Sequence, residues 1–488
     1  MEAQVLTRQL GPWSAGKGPL QQKLARSLAQ AVGRGLLNPG MRLPSERTLA
    51  RALRLSRTTV VAAYDVLREN GWLESRSGSG TWVSATSLSV AAARGAAQAG
   101  SLADSPLLGL MQRREDADMV DFALGTPLPL HDLPGDPFTL PDDEYRALVC
   151  DRLYYPLGIA ALRGAVARYY CERGLASVPE QILITNGAQQ ALSLAAALYV
   201  QRGDAVLVED PMYFGVLDIL RAAGARILSL PVGERGVEPA VLRDRIKATA
   251  ARLVYLTPTF QNPTGAVMPR AARSEVCQIA ASLGVPVLDD EVLAELAHGA
   301  AVPLPIAAHG AEAPILTVGS LSKLIWPGLR VGWLRAAEPV IERLARLKSS
   351  IDLGSPPLTQ AIAARLLGAV EQARAQRCVE LTAKRDAVAA MLREQLPDWS
   401  FRLPAGGAFL WIKLPSGDAR EYAQLALRHG VRIIAGPLMS AAEGCAQWIR
   451  LPFLAEMPVL SIGVRRLATA WREFCSSDRR VGARVGWV

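Results

Sequence analysis

The chain has 488 residues, of which half are hydrophobic and a fifth are charged, with 41 Gly and 32 Pro along its length. This composition excludes an intrinsically disordered, collagen-like or coiled-coil protein, and the length predicts two to four domains with a large buried core. The net charge is +9, and residues 1–83 hold 12 Lys and Arg against 5 Asp and Glu. A compact basic segment on a nearly neutral body is typical of a polyanion-binding module, with a solvated basic face as the alternative.

The six cysteines lie far apart, form no CxxC pair and do not cluster with the four histidines. We therefore expect no disulfide framework and no metal site. Reduced, buried thiols are typical of the cytoplasm, which is the expected location. Nothing at the N-terminus resembles a signal peptide, and charges, Pro or Gly interrupt every long apolar stretch, so we expect no membrane span.

Residues 15–83 carry the pattern of three helices followed by a hairpin. Leucine and valine recur every four positions over 20–32, which predicts a first helix. Pro44 opens a second helix, and Ser56 is a good N-cap for a third. Two short strand-like runs over 72–83, separated by a Gly- and Ser-rich turn, complete the module.

The segment LPSERTLARALRLSRTTVVAAYDVLRENGWLESRSGSGTWV resembles the winged helix-turn-helix of GntR-type regulators. The resemblance implies that residues 15–83 bind a double-stranded DNA operator, with the first turn of the third helix in the major groove. The implied DNA-contacting residues are Arg47, Ser56, Arg57, Thr58, Thr59, Arg76 and Gly78. Arg57 would face a guanine edge, and a plain surface arginine is the alternative for Arg57 and Arg76.

Residues 84–118 are small and polar with no sustained period, which predicts a flexible linker. Beyond the linker, apolar strand-like runs alternate with helical segments. The runs lie at 182–185, 205–209, 253–257, 285–289 and 315–319. This alternation predicts an α/β domain with a mostly parallel sheet.

Ligands of such sheets bind outside the carboxyl ends of the strands, so the residues that follow each run are candidates for a site. In chain order these are Asn186–Gln190, Glu209–Tyr213, Gln261–Gly265, Asp289–Glu291 and Ser320–Lys323, with Arg330 shortly after. The first set is a small-residue turn into a helix, which suits a phosphate, although any strand-to-helix turn can carry Gly. Tyr213 could stack on a planar ligand.

Together these sets resemble fold-type I pyridoxal-phosphate proteins of the aspartate-aminotransferase group. The resemblance implies that Lys323 forms the Schiff base with pyridoxal 5'-phosphate and that Asp290 pairs with its pyridine nitrogen. The other implied cofactor-binding residues are Gly187, Ala188, Gln189, Tyr213, Asn262, Ser320, Ser322 and Arg330. Arg450 matches the arginine that grips an effector carboxylate, with 406–409 as a neighbouring pocket wall. The domain would cover 119–475, with a large part to about 340 and a smaller C-terminal α+β part.

The match leaves one register open and departs from the family at one position. Asp289 is the alternative to Asp290, because a run of three acids can be aligned one residue either way. Leu293 stands where aminotransferases have a tyrosine that donates to the ring hydroxyl of the cofactor. Schiff-base formation needs only Lys323, but the loss of this hydrogen bond argues against efficient transamination.

The two modules in this order are the organisation of the MocR/GabR group of regulators. This implies a transcription factor that responds to a small amino compound or to the cofactor itself. A homodimer is also implied, head-to-tail and domain-swapped, with each DNA-binding module on the partner's large domain. The alternative is an active aminotransferase with an accessory DNA-binding head. Membrane association of the head is disfavoured, since its polar residues cluster at a helix start and wing instead of along one amphipathic face.

Overall fold

The fold was analysed in a computed structural model. It describes residues 3–10, 13–14, 19–33, 37, 40–69, 72–76, 80–84, 118–130, 132–151, 153–299, 301–310, 313–442 and 444–483. The chain forms two compact units. The first comprises 1–124, 414–438 and 462–488, and the second comprises 125–413 and 439–461. Among the described residues, no helix is long and apolar enough to cross a membrane.

Four helices and a hairpin form the N-terminal module. They are α1 (Ala3–Leu10), α2 (Leu20–Gly33), α3 (Glu46–Leu53), α4 (Arg57–Glu69), β1 (Leu73–Arg76) and β2 (Gly80–Val83). The strands pair antiparallel, with Leu73 opposite Val83. The three predicted helices and the hairpin are confirmed, while α1 was not predicted.

Local hydrogen bonds explain where the helices of this module begin. The Ser45 hydroxyl accepts from the amide of Thr48 at 3.2 Å, so α3 starts one residue later. Tyr64 of α4 is fully buried, and its hydroxyl donates to the carbonyl of Pro44 at 2.9 Å. This bond ties α4 to the segment that leads into α3.

The remaining helices and strands follow in chain order. They are β3 (Val120–Asp121), α5 (Asp142–Cys150), α6 (Ala160–Glu172), β4 (Ile182–Thr185), α7 (Ala188–Tyr199), β5 (Ala205–Asp210), α8 (Phe214–Ala222), β6 (Arg226–Pro231), α9 (Pro239–Thr249), β7 (Leu253–Leu256), α10 (Arg270–Leu283), β8 (Val287–Asp290), β9 (Ile315–Ser320), β10 (Gly332–Arg335), α11 (Glu338–Asp352), α12 (Pro357–Gly368), α13 (Val370–Gln395), β11 (Ser400–Phe401), β12 (Phe409–Lys413), α14 (Ala419–Arg428), β13 (Val431–Arg432), β14 (Ile434–Ala435), β15 (Trp448–Pro452) and α15 (Met457–Ala483).

A seven-stranded sheet in the order β4-β10-β9-β8-β7-β5-β6 forms the centre of the second unit. Strands β6, β5, β7, β8 and β9 run parallel, whereas β10 is antiparallel to both β4 and β9. Because helices cover the sheet, β4, β7, β8 and β9 are buried along their whole length. The predicted α/β fold is confirmed, with β6 and β10 added to the five predicted strands.

The C-terminal elements form smaller sheets. In the second unit, β12 pairs antiparallel with β11 and β15, so that Trp411 lies opposite Arg450. In the first unit, β3 pairs parallel with β13. The Asp118 carboxylate, at the last residue of the predicted linker, lies 2.5 Å from the Arg466 guanidinium. Residues 85–117 of that linker lie outside the described residues, and the boundaries at 84, 119, 340 and 475 stay predictions.

Candidate functional site

The carboxyl ends of the parallel strands bring the sequence-predicted residues to one edge of the sheet. Asp290 ends β8 and Ser320 ends β9, while Lys323 follows in the turn after β9. Tyr213 follows β5 directly before α8. These short connections leave each side chain little freedom, because a buried strand fixes the position of the backbone on one side of each turn.

Lys323, the predicted Schiff-base residue, contributes an amine to this edge. Its side chain is partly buried, and Nζ donates a hydrogen bond to the carbonyl of Gly125. Burial lowers the pKa of Lys323 to about 8, and the positive charges of Arg450 and Arg330 act in the same direction. Asp290 opposes this shift. A substantial fraction of the amine is therefore neutral near physiological pH, as nucleophilic attack on a carbonyl requires.

Two hydrogen bonds orient the carboxylate of Asp290. The hydroxyl of Tyr255 donates to Oδ2 at 2.6 Å, and the amide of Val292 donates to Oδ1 at 3.0 Å. Burial raises the pKa of Asp290, whereas these hydrogen bonds and the charge of Lys323 lower it. Asp290 is thus held in place and interacts electrostatically with the lysine.

Asp289 has different surroundings. It is fully buried, and the amide of Ile306 donates to its Oδ2 at 2.8 Å. Burial and the negative charge of Glu291 raise the pKa of Asp289, with the nearby Arg273 opposing. The two adjacent acids therefore meet different environments, as expected where successive strand residues point to opposite faces.

The turn between β4 and α7 brings together a helix N-terminus and a guanidinium, two groups that attract anions. Gly187 has a positive φ of 82° and caps α7, so the first amides of that helix face outward from its N-terminus. The Arg330 guanidinium donates to the carbonyl of Asn186 at 2.9 Å. The positive φ of Gly187 favours glycine at this position, and a Cβ there would lie 2.8 Å from Nη2 of Arg330 and so displace the guanidinium.

Gly332 lies between the same turn and the hydroxyl groups of Ser320 and Ser322. It pairs with Thr185 of β4 on one side and with Ser320 of β9 on the other. The Ser320 hydroxyl lies 2.9 Å from that of Ser322. A Cβ on Gly332 would lie 2.7 Å from the amide nitrogen of Ala188. The serines and the start of α7 are therefore close neighbours.

Tyr213 lies partly buried beside the start of α7. Its hydroxyl donates to Oε1 of Gln189 at 3.4 Å, and Gln189 in turn donates to the carbonyl of Gly215 at 3.1 Å. Burial raises the pKa of Tyr213 to about 12, so the phenol remains neutral. The ring is thus held as an uncharged aromatic surface near the positive charges of Arg450 and Arg330.

Arg450 on β15 lies on the ring of Phe409. The guanidinium carbon is 4.4 Å from the ring centroid of Phe409 and 5.7 Å from that of Phe214. Nη1 donates to Oδ1 of Asn262 at 3.5 Å. Burial lowers the pKa of Arg450 to about 10, which leaves it charged at neutral pH. The residue predicted to grip a carboxylate therefore lies beside Asn262 and interacts electrostatically with Lys323.

The sequence placed Glu209 in a candidate set but gave it no role, and the structure shows that this buried glutamate joins two of these loops. The amide of Thr257 donates to Oε2 of Glu209 at 3.0 Å, and the Gln261 side chain donates to the same oxygen at 3.2 Å. Gln261 also donates to the carbonyl of Pro211 at 2.7 Å. Burial raises the pKa of Glu209 to about 7 against these bonds. The sequence did carry a signal for this residue, since Glu209 is an acid at the end of the apolar run 205–209.

The candidate DNA-binding residues lie at the exposed start of α4 and on α3. Arg47, Arg57 and Thr58 are exposed. The Ser56 hydroxyl lies 2.7 Å from the hydroxyls of both Thr58 and Thr59 and accepts from the Thr59 amide at 3.1 Å. Ser56 therefore caps α4, as predicted, and leaves Arg57 directed away from the core.

The predicted wing residues have no structural test. Gly78 and the side chain of Arg76 lie outside the described residues. Their proposed contacts with DNA stay predictions.

Comparison with known proteins places both modules. Residues 20–83 match the model of bacterial regulatory proteins of the gntR family, and residues 151–462 match aminotransferase class I and II. The uncharacterized HTH-type transcriptional regulator YisV of Bacillus subtilis is 33% identical over 410 residues, which cover 81% of this chain and 84% of YisV. The probable rhizopine catabolism regulatory protein MocR of Rhizobium meliloti is 30% identical, with 78% of each chain covered.

A solved structure matches the larger module. It is LysN, the alpha-aminoadipate aminotransferase of Thermus thermophilus, complexed with N-(5'-phosphopyridoxyl)-L-leucine. The TM-score is 0.67 at 29% identity, covering 76% of this chain and 97% of LysN. With its GntR-type DNA-binding domain and its aminotransferase-like domain, the chain belongs to the MocR/GabR-type subfamily of GntR transcriptional regulators.

Proposed function

We propose that this regulator binds pyridoxal phosphate at Lys323 and changes its DNA binding when a small amino compound, or the cofactor itself, occupies the site. The observation that carries the proposal is the concentration of positive charge. The positive charges of Arg450 and Arg330 both act on Lys323, and Asp290 supplies the opposing charge. A ligand with a phosphate and a carboxylate would balance this excess.

The residues present fit the cofactor. When bound, pyridoxal phosphate supplies an aldehyde that condenses with amines and a pyridine ring that takes up electron density. Lys323 offers the amine, and Asp290 would hold a proton on the ring nitrogen. The glycine turn from Gly187 to Gln189, with Ser320, Ser322 and Arg330, would hold the phosphate. Tyr213 would stack on the ring, and Asn262 would donate to its hydroxyl.

The same residues supply a switch. A ligand shifts a conformational equilibrium only if it binds the two states differently. An amino compound whose carboxylate lies at Arg450 would compete with Lys323 for the cofactor aldehyde and release Nζ. Since Nζ donates to the carbonyl of Gly125, its release changes a contact seven residues along the chain from Asp118. In the chain, the linker of the DNA-binding module directly precedes the segment that contains Gly125.

The likeness to LysN supports a second candidate, an active aminotransferase with an accessory head. Leu293 argues against it, because this buried apolar side chain has no hydroxyl for the cofactor ring.

We expect the purified full-length chain to transfer amino groups from amino acids to 2-oxo acids much more slowly than about 1 per second, the lower range for enzymes. The lost tyrosine hydroxyl is the physical reason. Turnover is measured with pyridoxal phosphate and a panel of amino acids, with an active class I aminotransferase as positive control. Multiple turnovers at or above that rate would establish the enzyme and refute a purely regulatory role.

An exposed apolar surface supports a homodimer. Leu153, Tyr154, Ile351 and Leu353 are each more than half exposed. Together these four residues form the dimer patch. Asp352, which lies between Ile351 and Leu353 in the chain, accepts from the Asn186 side chain at 2.8 Å, so the dimer patch adjoins the turn between β4 and α7. We propose that the partner subunit covers it. The domain-swapped, head-to-tail arrangement is part of the same proposal and rests on the resemblance.

Leu153→Asp combined with Ile351→Asp should dissociate the dimer, because charges would be buried at the interface. Sedimentation at micromolar concentration measures the change. Val379→Asp is the matched control, since Val379 is 74% exposed on α13 and lies outside the patch. A dimer that persists in the double variant would place the interface elsewhere.

Arg57→Ala should weaken operator binding by about tenfold or more, the effect of losing one base-reading arginine. Binding is measured by fluorescence anisotropy at fixed salt. Arg26→Ala removes the same charge from an exposed position on α2 and serves as the control. If both variants bind equally well, α4 is not the recognition helix.

Lys323→Ala should abolish the visible absorbance that appears when pyridoxal phosphate is added to the protein. Asp290→Asn should reduce cofactor affinity by about ten- to a hundredfold, since a charge-assisted hydrogen bond contributes about 1.5–3 kcal/mol. Asp289→Asn is the matched control and should retain affinity. The opposite result for the two aspartates would assign the pyridine contact to Asp289, and a band that survives Lys323→Ala would move the Schiff base elsewhere.

A further inference from the structure

Arg377 is a buried arginine that the sequence patterns did not single out. It lies on the apolar stripe of α13, between Ala373 and Leu381, and is 1% exposed. We propose that Arg377 is a positioning residue for Lys323. Arg377 holds the two chain segments that lie on either side of the lysine amine. This inference rests on the proposed role of Lys323 in the site.

The guanidinium of Arg377 donates to carbonyls on both segments. Nε donates to Leu324 at 2.8 Å, and Nη2 donates to Ile325 at 3.2 Å, both directly after the lysine. Nη2 also donates to the carbonyl of Leu128. Leu128 lies three residues beyond Gly125, whose carbonyl accepts from Nζ of Lys323. One side chain therefore joins the loop that carries the lysine to the segment that receives its hydrogen bond.

These segments need such a tie because they have little regular structure. Residues 125–130 form neither helix nor strand, and 321–325 are a turn. One backbone hydrogen bond, from the amide of Leu130 to the carbonyl of Ile325 at 3.1 Å, joins them directly. Arginine suits the task, since its planar fork carries five donors in fixed directions, whereas the ammonium of lysine is a single point.

An acid on the same helix compensates the buried charge. Glu380 accepts from Nη1 of Arg377 at 2.6 Å and from Lys384 at 2.5 Å. Burial raises the pKa of Glu380, but the hydrogen bonds from Lys384 and Arg377 outweigh it and lower the pKa overall. Lys384 also donates to the carbonyl of Leu454, just beyond the strand that carries Arg450, at 3.5 Å. With four hydrogen bonds from its three nitrogens, the guanidinium of Arg377 thus has a fixed orientation.

Loosening this tie should expose Lys323 to water. Burial lowers the pKa of Lys323 to about 8, and the charges that act on it come from Arg450, Arg330 and Asp290. A wetter site raises that pKa towards its ordinary value of 10.5. It also displaces the amine from the cofactor aldehyde.

Arg377→Lys in the full-length protein tests the proposal, because it keeps the charge and the contact with Glu380 but loses most of the carbonyl contacts. Two readouts are measured. The first is the pH dependence of Lys323 acylation in protein stripped of cofactor, followed by mass spectrometry. The second is the affinity for added pyridoxal phosphate. We expect the acylation midpoint to rise by about one pH unit and the affinity to fall about tenfold or more.

Arg374→Lys is the matched control, one turn earlier on α13, where the arginine contacts Glu371 and Glu295. It should behave like the unaltered chain in both readouts. If Arg377→Lys also behaves so, Arg377 has only a structural role and the proposal is overturned.

Glu380→Gln keeps the test decisive if Arg377→Lys fails to fold, because it leaves the arginine in place but removes its carboxylate. We expect the acylation midpoint to rise and the affinity for pyridoxal phosphate to fall, both by less than in Arg377→Lys. If both stay unchanged in a folded Glu380→Gln protein, the proposal is overturned. Failure of the cofactor proposal is distinguishable. In that case the unaltered chain gives no visible band, whereas the acylation midpoints still report on Arg377.

Discussion

Like charges repel more strongly in a partly buried site than in water, and Lys323, Arg330 and Arg450 all contribute to one such site. Burial, together with the positive charges of Arg450 and Arg330, lowers the pKa of Lys323 to about 8. Much of the surrounding structure serves to hold these cations in place. Phe409 lies under Arg450, Asn186 accepts from Arg330, and Gly125 accepts from Lys323.

A site with excess positive charge is stabilised by an anionic ligand. Any ligand that binds only the folded protein adds to its stability according to its concentration and affinity. If the proposed function holds, a phosphate and a carboxylate in this site would offset the positive charges that act on Lys323. A regulator requires such a ligand, because it can respond only if ligand binding changes the relative free energies of two conformational states.

The distribution of charge also separates the two tasks of the chain. The DNA-binding module carries most of the net charge, and its Arg57 is exposed at the start of α4. In the cofactor-binding domain, by contrast, Arg450 is buried, Lys323 is partly buried, and Arg330 is exposed at the edge of the site.

The sequence by itself determined the features that depend on local structure. The leucine period of α2, the Ser56 cap of α4 and the order of the strand ends were readable because each involves neighbours in the chain. Strands β6 and β10 were not predicted. Strand β6 is mostly partly exposed at the edge of the sheet, and β10, with the sequence GWLR, contains no continuous apolar run. Edge strands and strands without an apolar run give weak sequence patterns.

Only the tertiary structure decided which of two adjacent acids interacts with Lys323. A one-residue shift in a strand reverses the facing of every side chain, and the run of three acids offers no hydrophobic pattern to set it. The roles of Tyr255, Glu209 and Arg377 were equally hidden, since their partners lie between 35 and 249 residues away in the chain. Such contacts exist only after the sheet and α13 have brought distant segments together.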